Sequence, residues 1–482
     1  MQFDLAFDRQ ALLTAYLLAE WAIRIGALVI VPFRRTPDAA KGWLLLILFE
    51  PMLGLIAYLV IGRRRLPAAR IRRAAEFRAR AQTTQLRLGA HPNVFRPVVD
   101  PAMAPAVRLA AELGQLPILG GNDAEVLADY GKIIDRIVAD IDAARSHVHL
   151  LFYIFADDGV GNRVVAALAR AVQRGVTCRV LADALGSKNV GFAALAARMR
   201  AAGIGAAESM QVGVFRRHTA RYDLRNHRKI VVVDGRIGYT GSLNIVDPDF
   251  KPGLMYEELM IRVTGPVVLE LQAVFVRDWY IETGQTTDDA RVFPDPDVTG
   301  SVPAQVLPSE PLFPRENNQR LIVALVYAAR ARAVITTPYF IPDEALLQAL
   351  TTAVLRGVDV RLVLPAQDDQ LLVSNAQKSY YGELLRAGVR ICRYGTRFLH
   401  AKHATIDDTV AWIGSSNMDI RSFALNAEVV LLAYDAGVCR RLRAEQERYF
   451  AEGEWLDLDT WNAQPLRAKV GWNLARLLSP LL

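Results

Sequence analysis

Residues 148–155 read VHLLFYIF, and residues 333–341 read AVITTPYFI. Each is a short apolar run rich in branched and aromatic side chains, as expected of a strand buried on both faces of a parallel sheet. A helical stretch follows each run and ends in arginine and glycine, Arg174-Gly175 in one case and Arg356-Gly357 in the other. A second strand then begins, residues 175–181 (GVTCRVL) and 357–363 (GVDVRLV). The glycine fits a helix C-cap placed just before a strand. Farther on, Ala202-Gly203-Ile204 is echoed by Ala387-Gly388-Val389. Strand, helix, strand, helix, occurring twice, predicts two similar α/β units facing one another, with equivalent residues at a shared cleft. The proline-rich stretch 294–314 reads as the linker between them.

Beyond the second helix of each unit stands the same constellation. The first copy is His227-Arg228-Lys229, then Asp234, then Gly241-Ser242-Leu243-Asn244; the second is His400-Ala401-Lys402, then Asp407, then Gly414-Ser415-Ser416-Asn417. The apolar, branched surroundings (KIVVVDG and KHATIDD) place both copies on strands, where residues two apart share a face. Each histidine therefore points the same way as its lysine. Phosphodiester exchange needs a neutral imidazole to attack phosphorus, a proton for the departing alkoxide, and positive groups to hold the non-bridging oxygens. Two histidines can divide the first two tasks, and lysine and asparagine side chains can perform the third without a metal. Only eight of the 57 basic residues are lysine, so lysine at both matching positions is informative. One His-x-Lys pair on a strand is often incidental. Two copies at equivalent places in a repeat are not.

Outward from this centre, the amino terminus carries two apolar runs, residues 11–33 and 43–61, each close to the ~20 residues that cross a bilayer. Glu20 and Arg24 lie four apart in the first run and can neutralise each other; Pro51 predicts a kink in the second. The pair reads as a membrane hairpin, either spanning or re-entrant. Arginines 63, 64, 65, 70, 72, 73, 78 and 80 follow, a cluster that remains on the cytoplasmic side and attracts anionic headgroups. The net charge of +7 and pI near 9.3 call for an acidic partner. Because the arginines abut the hairpin, anionic lipid fits better than nucleic acid. Cys178, Cys392 and Cys439 have neither metal spacing nor a disulfide pattern and read as apolar fillers. No carboxylate–histidine cluster points to a metal ligand set, and no cofactor is implied. His403, His147 and His149 read as packed or surface residues. Residues 472–482 (WNLARLLSPLL) read either as an interfacial helix or as a terminal helix packed on the protein's own core.

The paired motifs resemble the histidine–lysine–aspartate signatures of the phospholipase D superfamily, and in particular its bacterial cardiolipin synthases. The resemblance extends to residues 51–58 (PMLGLIAY), Gly120-Gly121-Asn122, residues 239–244 (YTGSLN), residues 337–340 (TPYF) and the terminal SPLL. It implies an α/β fold of two similar phospholipase D-like units packed as a pseudo-dimer, preceded by a two-helix membrane hairpin. The implied organisation is hairpin 1–62, basic juxtamembrane segment 63–110, first domain 111–293, linker 294–314, and second domain 315–482 ending in an interfacial helix. It implies a phosphatidyltransferase working through a phosphatidyl-histidine, with anionic phospholipid (phosphatidylglycerol) as substrate, at the bacterial inner membrane with its catalytic body on the cytoplasmic side. His227, Lys229, Asp234, His400, Lys402 and Asp407 would form the catalytic set, Asp234 and Asp407 more as braces than as proton carriers. Lys229, Lys402, Asn244, Asn417, Ser242 and Ser415 would hold phosphate. His227 would be the nucleophile and His400 the acid and then the base, with the reverse assignment standing nearly level. Glu258 and Glu428 would orient the imidazoles, although Tyr256-Glu257-Glu258 departs from the family's usual residues and leaves Glu257 as a competitor. Arg421 could meet a second lipid phosphate or pair with Asp419. Oligomeric state, and whether phosphatidylglycerol or phosphatidylethanolamine is the acceptor, stay open.

Overall fold

In the computed structural model, the described residues are 5–35, 37–60, 62, 66–212, 221–287, 290–311, 313 and 316–477. Arg63-Arg64-Arg65 and the terminal SPLL lie outside them. The chain divides into two compact units, Met1–Leu66 and Pro67–Leu482.

Among its described residues the amino-terminal unit holds three helices rather than two: Leu5–Ile30, Pro37–Phe49 and Pro51–Val60. Pro51 has no N–H to continue the helix before it, so the second apolar run breaks at Glu50. The chain then doubles back so closely that a Cβ added to Gly54 would lie 2.7 Å from the Ile47 Cα. Trp43 and Tyr58 meet edge to face across the bend, with ring centroids 5.3 Å apart. Arg24 donates to Glu20 at 3.0 Å and to the Leu48 carbonyl, also at 3.0 Å, near the break. Among the described residues only Gln10–Ile30 is long and apolar enough to cross a membrane. The second run is a bent pair of short helices.

The larger unit is built from fourteen principal strands. In the first half they are β1 (Leu119–Leu127), β2 (His147–Phe152), β3 (Thr177–Asp183), β4 (Gly205–Ser209), β5 (Ile230–Val233), β6 (Ile237–Gly241) and β7 (Met260–Thr264). In the second half they are β8 (Val302–Ser309), β9 (Arg332–Thr336), β10 (Asp359–Pro365), β11 (Arg390–Tyr394), β12 (His403–Ile406), β13 (Val410–Gly414) and β14 (Glu428–Ala433). The first half is ordered β4-β3-β2-β5-β6-β7-β1 and the second β11-β10-β9-β12-β13-β14-β8. One order is the other repeated, joined where β1 pairs with β8. In each half the first three strands of that order run parallel and the rest antiparallel. Gly175 and Gly357 take φ of 87° and 88°, the left-handed conformation that ends the helices before β3 and β10.

Strand alternation separates three cores. Ile230 and Val232 of β5 face a core shared by the two halves, together with Val429 and Leu431 of β14. Val231 and Val233 face the first half's outer helices, and Val430 and Leu432 face those of the second half. Strands buried on both faces explain the uninterrupted apolar runs of the sequence.

Three segments depart from the sequence-based boundaries. The stretch 294–314, read as a linker, contains β8, a central strand. Its prolines are tolerated because β1 and β8 pair only at Leu119–Ala304 and Asn122–Val302 with an irregular register, so not every N–H is required. The basic segment 63–110 belongs to the larger unit from Pro67 onward. Arg70 is buried against Glu282, and Arg73 donates to the Ile281 and Glu282 carbonyls at the end of the helix Val268–Thr283. Those arginines are thus spent on helix-end carbonyls and a carboxylate rather than on headgroups; Arg72 and Arg78 stay exposed. The carboxy-terminal helix Leu466–Leu477 packs one face on the protein's own core. Trp472 stacks on Trp461 at 4.8 Å and Ala475 is buried, while Leu466, Val470, Leu474 and Leu477 are exposed. All three cysteines are buried and free.

Arg228 joins the halves through a wholly buried guanidinium. It lies 2.6 Å from both Asp278 oxygens and donates to the carbonyls of Glu428 at 3.0 Å and Ser309 at 3.1 Å. Arg228→Leu should destabilise the larger unit by about 3–5 kcal/mol, because Asp278 would keep its charge with only Asn226 and the more distant Arg277 beside it. Thermal unfolding of the detergent-purified protein reads this out, with exposed Arg72→Ala as the control that barely moves the midpoint.

Candidate active site

Both histidines sit in the extended lead-in to a strand, His227 before β5 and His400 before β12, not on the hydrogen-bonded ladder itself. Their backbones reach across to the opposite half instead. The His227 N–H donates to the Ala427 carbonyl at 2.8 Å, and the Ala427 N–H returns a bond to Arg225 at 2.8 Å. The equivalent contact runs the other way: Phe398–Leu399 pairs in parallel with Tyr256–Glu257, and the His400 N–H donates to the Glu257 carbonyl at 2.8 Å.

These crossed backbone contacts decide which carboxylate meets which imidazole. His227 Nδ1 donates to Glu428, 3.0 Å from each oxygen, and lies 3.1 Å from the Ser415 carbonyl. His400 Nδ1 donates to Glu258 at 2.7 Å. Each histidine is thus oriented by a glutamate of the other half. A proton held on Nδ1 leaves Nε2 as the nitrogen available to a substrate. Glu257 does not compete: it pairs with Arg448 and Arg397 on the far side of its strand.

His227 and His400 line one cleft of about 450 Å³, with Asn244, Asn417, Tyr153, Tyr256, Tyr339, Asp369, Arg225 and Arg421. Lys229 and Lys402 are buried beneath it, each donating from Nζ to the carbonyl of its own histidine at 2.7 Å. Asn244 accepts from the Ile154 N–H at 3.1 Å, which fixes its amide at the cleft wall. The remaining predicted residues are elsewhere. Ser415 donates to Glu428 at 2.5 Å, and Ser242 exchanges bonds with Leu259 at 2.9 and 3.1 Å. Both hydroxyls therefore support the layer behind the histidines rather than the cleft wall. Asp234 and Asp407 lie at the far ends of β5 and β12, with φ of 54° and 50°. Asp234 accepts the N–H groups of Arg145, Ser146 and His147; Asp407 accepts those of Arg330, Ala331 and Arg332. They fasten the start of β2 and β9 and touch nothing in the cleft.

Electrostatics follow from burial. It pushes the His227 imidazole down to about 4, against the pull of Glu428, and lowers His400 against Glu258. It lowers Lys229 to about 7 and Lys402 to about 8. Burial alone would raise Glu258 and Glu428, but their histidines and lysines hold both below the usual carboxylate range. The site thus has imidazoles fixed at one nitrogen and two buried lysines whose protonated forms gain from an anion.

Several residues here carried no motif. Asp183 closes β3 and accepts from Arg225 Nη1 at 3.1 Å and the Asn226 N–H at 2.8 Å; Asp278 holds Asn226 and Arg228. An aspartate ending the apolar run TCRVLAD was the available sign of a buried charge partner. Asp419 caps its own helix through the Ser422 N–H at 2.6 Å, and Arg421 makes no ion pair within 4.0 Å among the described residues. His403 is packed, with burial pushing it to about 3, and His147 and His149 share Gln272.

The sequence profile described as "Cardiolipin synthase, PLD-like domain" matches residues 137–279 and again 322–450, one match on each half. The chain belongs to that family. It is 36% identical over 471 residues to Cardiolipin synthase A of Yersinia pseudotuberculosis, covering 96% of this chain and 97% of that one. Cardiolipin synthase A of Yersinia pestis matches with the same figures. Among solved structures, phosphatidylserine synthase from Haemophilus influenzae Rd KW20 superposes with a TM-score of 0.60 at 16% identity, over 78% of this chain and 100% of that chain, a likeness of fold. Membership of the cardiolipin synthase family makes this chain an enzyme, a phosphatidyltransferase of the phospholipase D superfamily with two PLD-like repeats.

Glu428→Gln and Glu258→Gln should each lower kcat by about 10²- to 10³-fold, since each amide still fits but no longer stabilises an imidazolium. Steady-state kinetics on folded protein checks this. Because Lys229 and Lys402 lose their protons as pH rises through about 7 and 8, kcat/KM should fall on the alkaline side of that range. A bound anion raises both values, so the alkaline limb of kcat should lie at higher pH than that of kcat/KM.

Proposed function

We propose that the protein joins two phosphatidylglycerol molecules into cardiolipin and glycerol through a phosphatidyl-histidine. The observation that carries this reading is the pair of imidazoles, each fixed at Nδ1 by a carboxylate of the opposite half and both lining one cleft above two lysines.

His227 is the nucleophile. A value near 4 keeps its ring neutral at physiological pH, and the proton on Nδ1 leaves the Nε2 lone pair for phosphorus. The P–N bond forms as the P–O bond to glycerol breaks, and His400 gives its Nε2 proton to the departing oxygen. Glu258 and the incoming phosphate anion both favour the protonated form of His400 that this step needs. Lys229, Lys402, Asn244 and Asn417 take the charge on the non-bridging oxygens. In the second half-reaction His400 removes the proton from a hydroxyl of the second phosphatidylglycerol, whose oxygen attacks phosphorus and expels His227. One phosphodiester replaces another, so no nucleotide is consumed.

The apolar helix Gln10–Ile30 and the bent pair after it fit association with a bilayer. The excess of arginine after the apolar runs favours a cytoplasmic position for the body at a bacterial inner membrane. Tethering raises the local lipid concentration and so favours lipid hydroxyl over water as the attacking group.

Incubation of the purified full chain with labelled phosphatidylglycerol should yield cardiolipin and free glycerol. Phosphatidic acid as the main product would make the protein a hydrolase instead, and no turnover would refute the reading. His227→Ala and His400→Ala should each abolish transfer in folded protein. Quenching in denaturing detergent at mildly alkaline pH, where a P–N bond survives, should trap labelled lipid on the wild-type chain and never on His227→Ala; label surviving in that variant reverses the assignment of the two histidines.

A further inference from the structure

The two halves repeat each other, yet the cleft they enclose is not symmetric in charge. Its charged lining is Arg225, Arg421, Asp419, Lys251 and Asp369, and Asp369 lies on the His400 side with Lys251 bonded to it. Tyr256 connects Asp369 to that side: its ring meets His400 edge to face at 5.3 Å, and its hydroxyl lies 3.4 Å from Asp369. A carboxylate at the wall of a phosphate-binding cleft opposes an anion, so its presence there needs a use.

Its hydrogen bonds supply one. Asp369 has a side chain only 3% exposed, and every donor it meets goes to the same oxygen. Lys251 Nζ and the Tyr339 hydroxyl lie 2.7 Å from Oδ2, with Tyr256 as the third donor. Gln370 in turn donates to the Tyr339 hydroxyl at 3.0 Å. Oδ1 takes no hydrogen bond from the described residues. The carboxylate is therefore anchored through one oxygen, drawn from both halves, while the other remains free to accept. Lys251 offsets its charge, which lessens the penalty of holding it near a phosphodiester.

We infer that Asp369 is a specificity residue whose free Oδ1 accepts the hydroxyl hydrogens of a glycerol headgroup, holding that headgroup on the His400 side of the cleft. The inference rests on the proposed transfer reaction, in which glycerol leaves and the second glycerol hydroxyl enters beside His400. One site then serves both half-reactions. It distinguishes a polyol headgroup from an alkyl one because a buried acceptor left unpaired is costly.

The test compares two donors with the same phosphate charge, phosphatidylglycerol and phosphatidylpropanol, by single-turnover release of labelled headgroup from the full-length enzyme in mixed micelles. Wild type should prefer phosphatidylglycerol by roughly 10- to 100-fold in kcat/KM, the size expected of hydrogen bonds to a charged group. Asp369→Asn should bring that ratio to within about threefold by slowing the glycerol lipid selectively. Tyr339→Phe, which removes one anchor of Oδ2 and keeps the carboxylate, should lower the ratio in the same direction by less, and it carries the test if the first variant fails to fold. A purely structural role would slow both donors equally, and an unchanged ratio in folded variants overturns the inference. A wild type that cuts both donors equally well overturns it too. A wild type that releases no glycerol at all would instead remove the transfer reaction on which it rests.

Discussion

The exchange of partners between the halves is the constraint on which the rest of the structure depends. An imidazole asked to attack or protonate must present one nitrogen in one orientation, and only a hydrogen bond at its other nitrogen can enforce this. Here that bond comes from across the pseudo-symmetry axis, Glu428 to His227 and Glu258 to His400. Neither half could form a working centre alone, because each contributes a histidine to one pair and a glutamate to the other. Short parallel backbone pairings, 225–227 with 426–428 and 398–400 with 256–258, hold the exchange in register.

Burying so many ionisable groups at one seam would be unfavourable if any were left alone. The protein answers with a continuous set of partners. Arg228 holds Asp278, Arg225 holds Asp183, Ser415 holds Glu428, and each lysine reaches back to its histidine's carbonyl. The lysines are nevertheless underpaid in charge, which is why burial lowers them. In the proposed reaction an anionic phosphodiester relieves that deficit on arrival, which would prepare the free site electrostatically for its ligand.

The repeat supplies symmetry, and the departures from it supply direction. Arg228 corresponds to Ala401, so the first half alone fastens its histidine strand with a buried guanidinium. Asp369, tied through Tyr256 to the His400 side, likewise sets the two ends of the cleft apart. A symmetric site could not assign different roles to two chemically equivalent histidines. An asymmetric one can.

The sequence by itself determined the local and periodic features. Apolar runs named β2 and β9, the glycines at 175 and 357 named helix ends, and the doubled His-x-Lys with Gly-Ser-x-Asn named the chemistry, because each depends on neighbours within a few residues. Pro51 announced a break, although not that the chain would fold back on Ile47. Only the tertiary structure decided matters that join residues hundreds of positions apart. Spacing does not say which imidazole Glu258 and Glu428 meet, and the fold gives each the histidine of the other half; it moves Asp234, Asp407, Ser242 and Ser415 out of the cleft and brings Asp369 into it. It also turns a proline-rich stretch into β8 and part of a basic segment into packing for a helix end. Those outcomes depend on which surfaces meet when two similar units pack face to face, and no short window of sequence encodes that geometry.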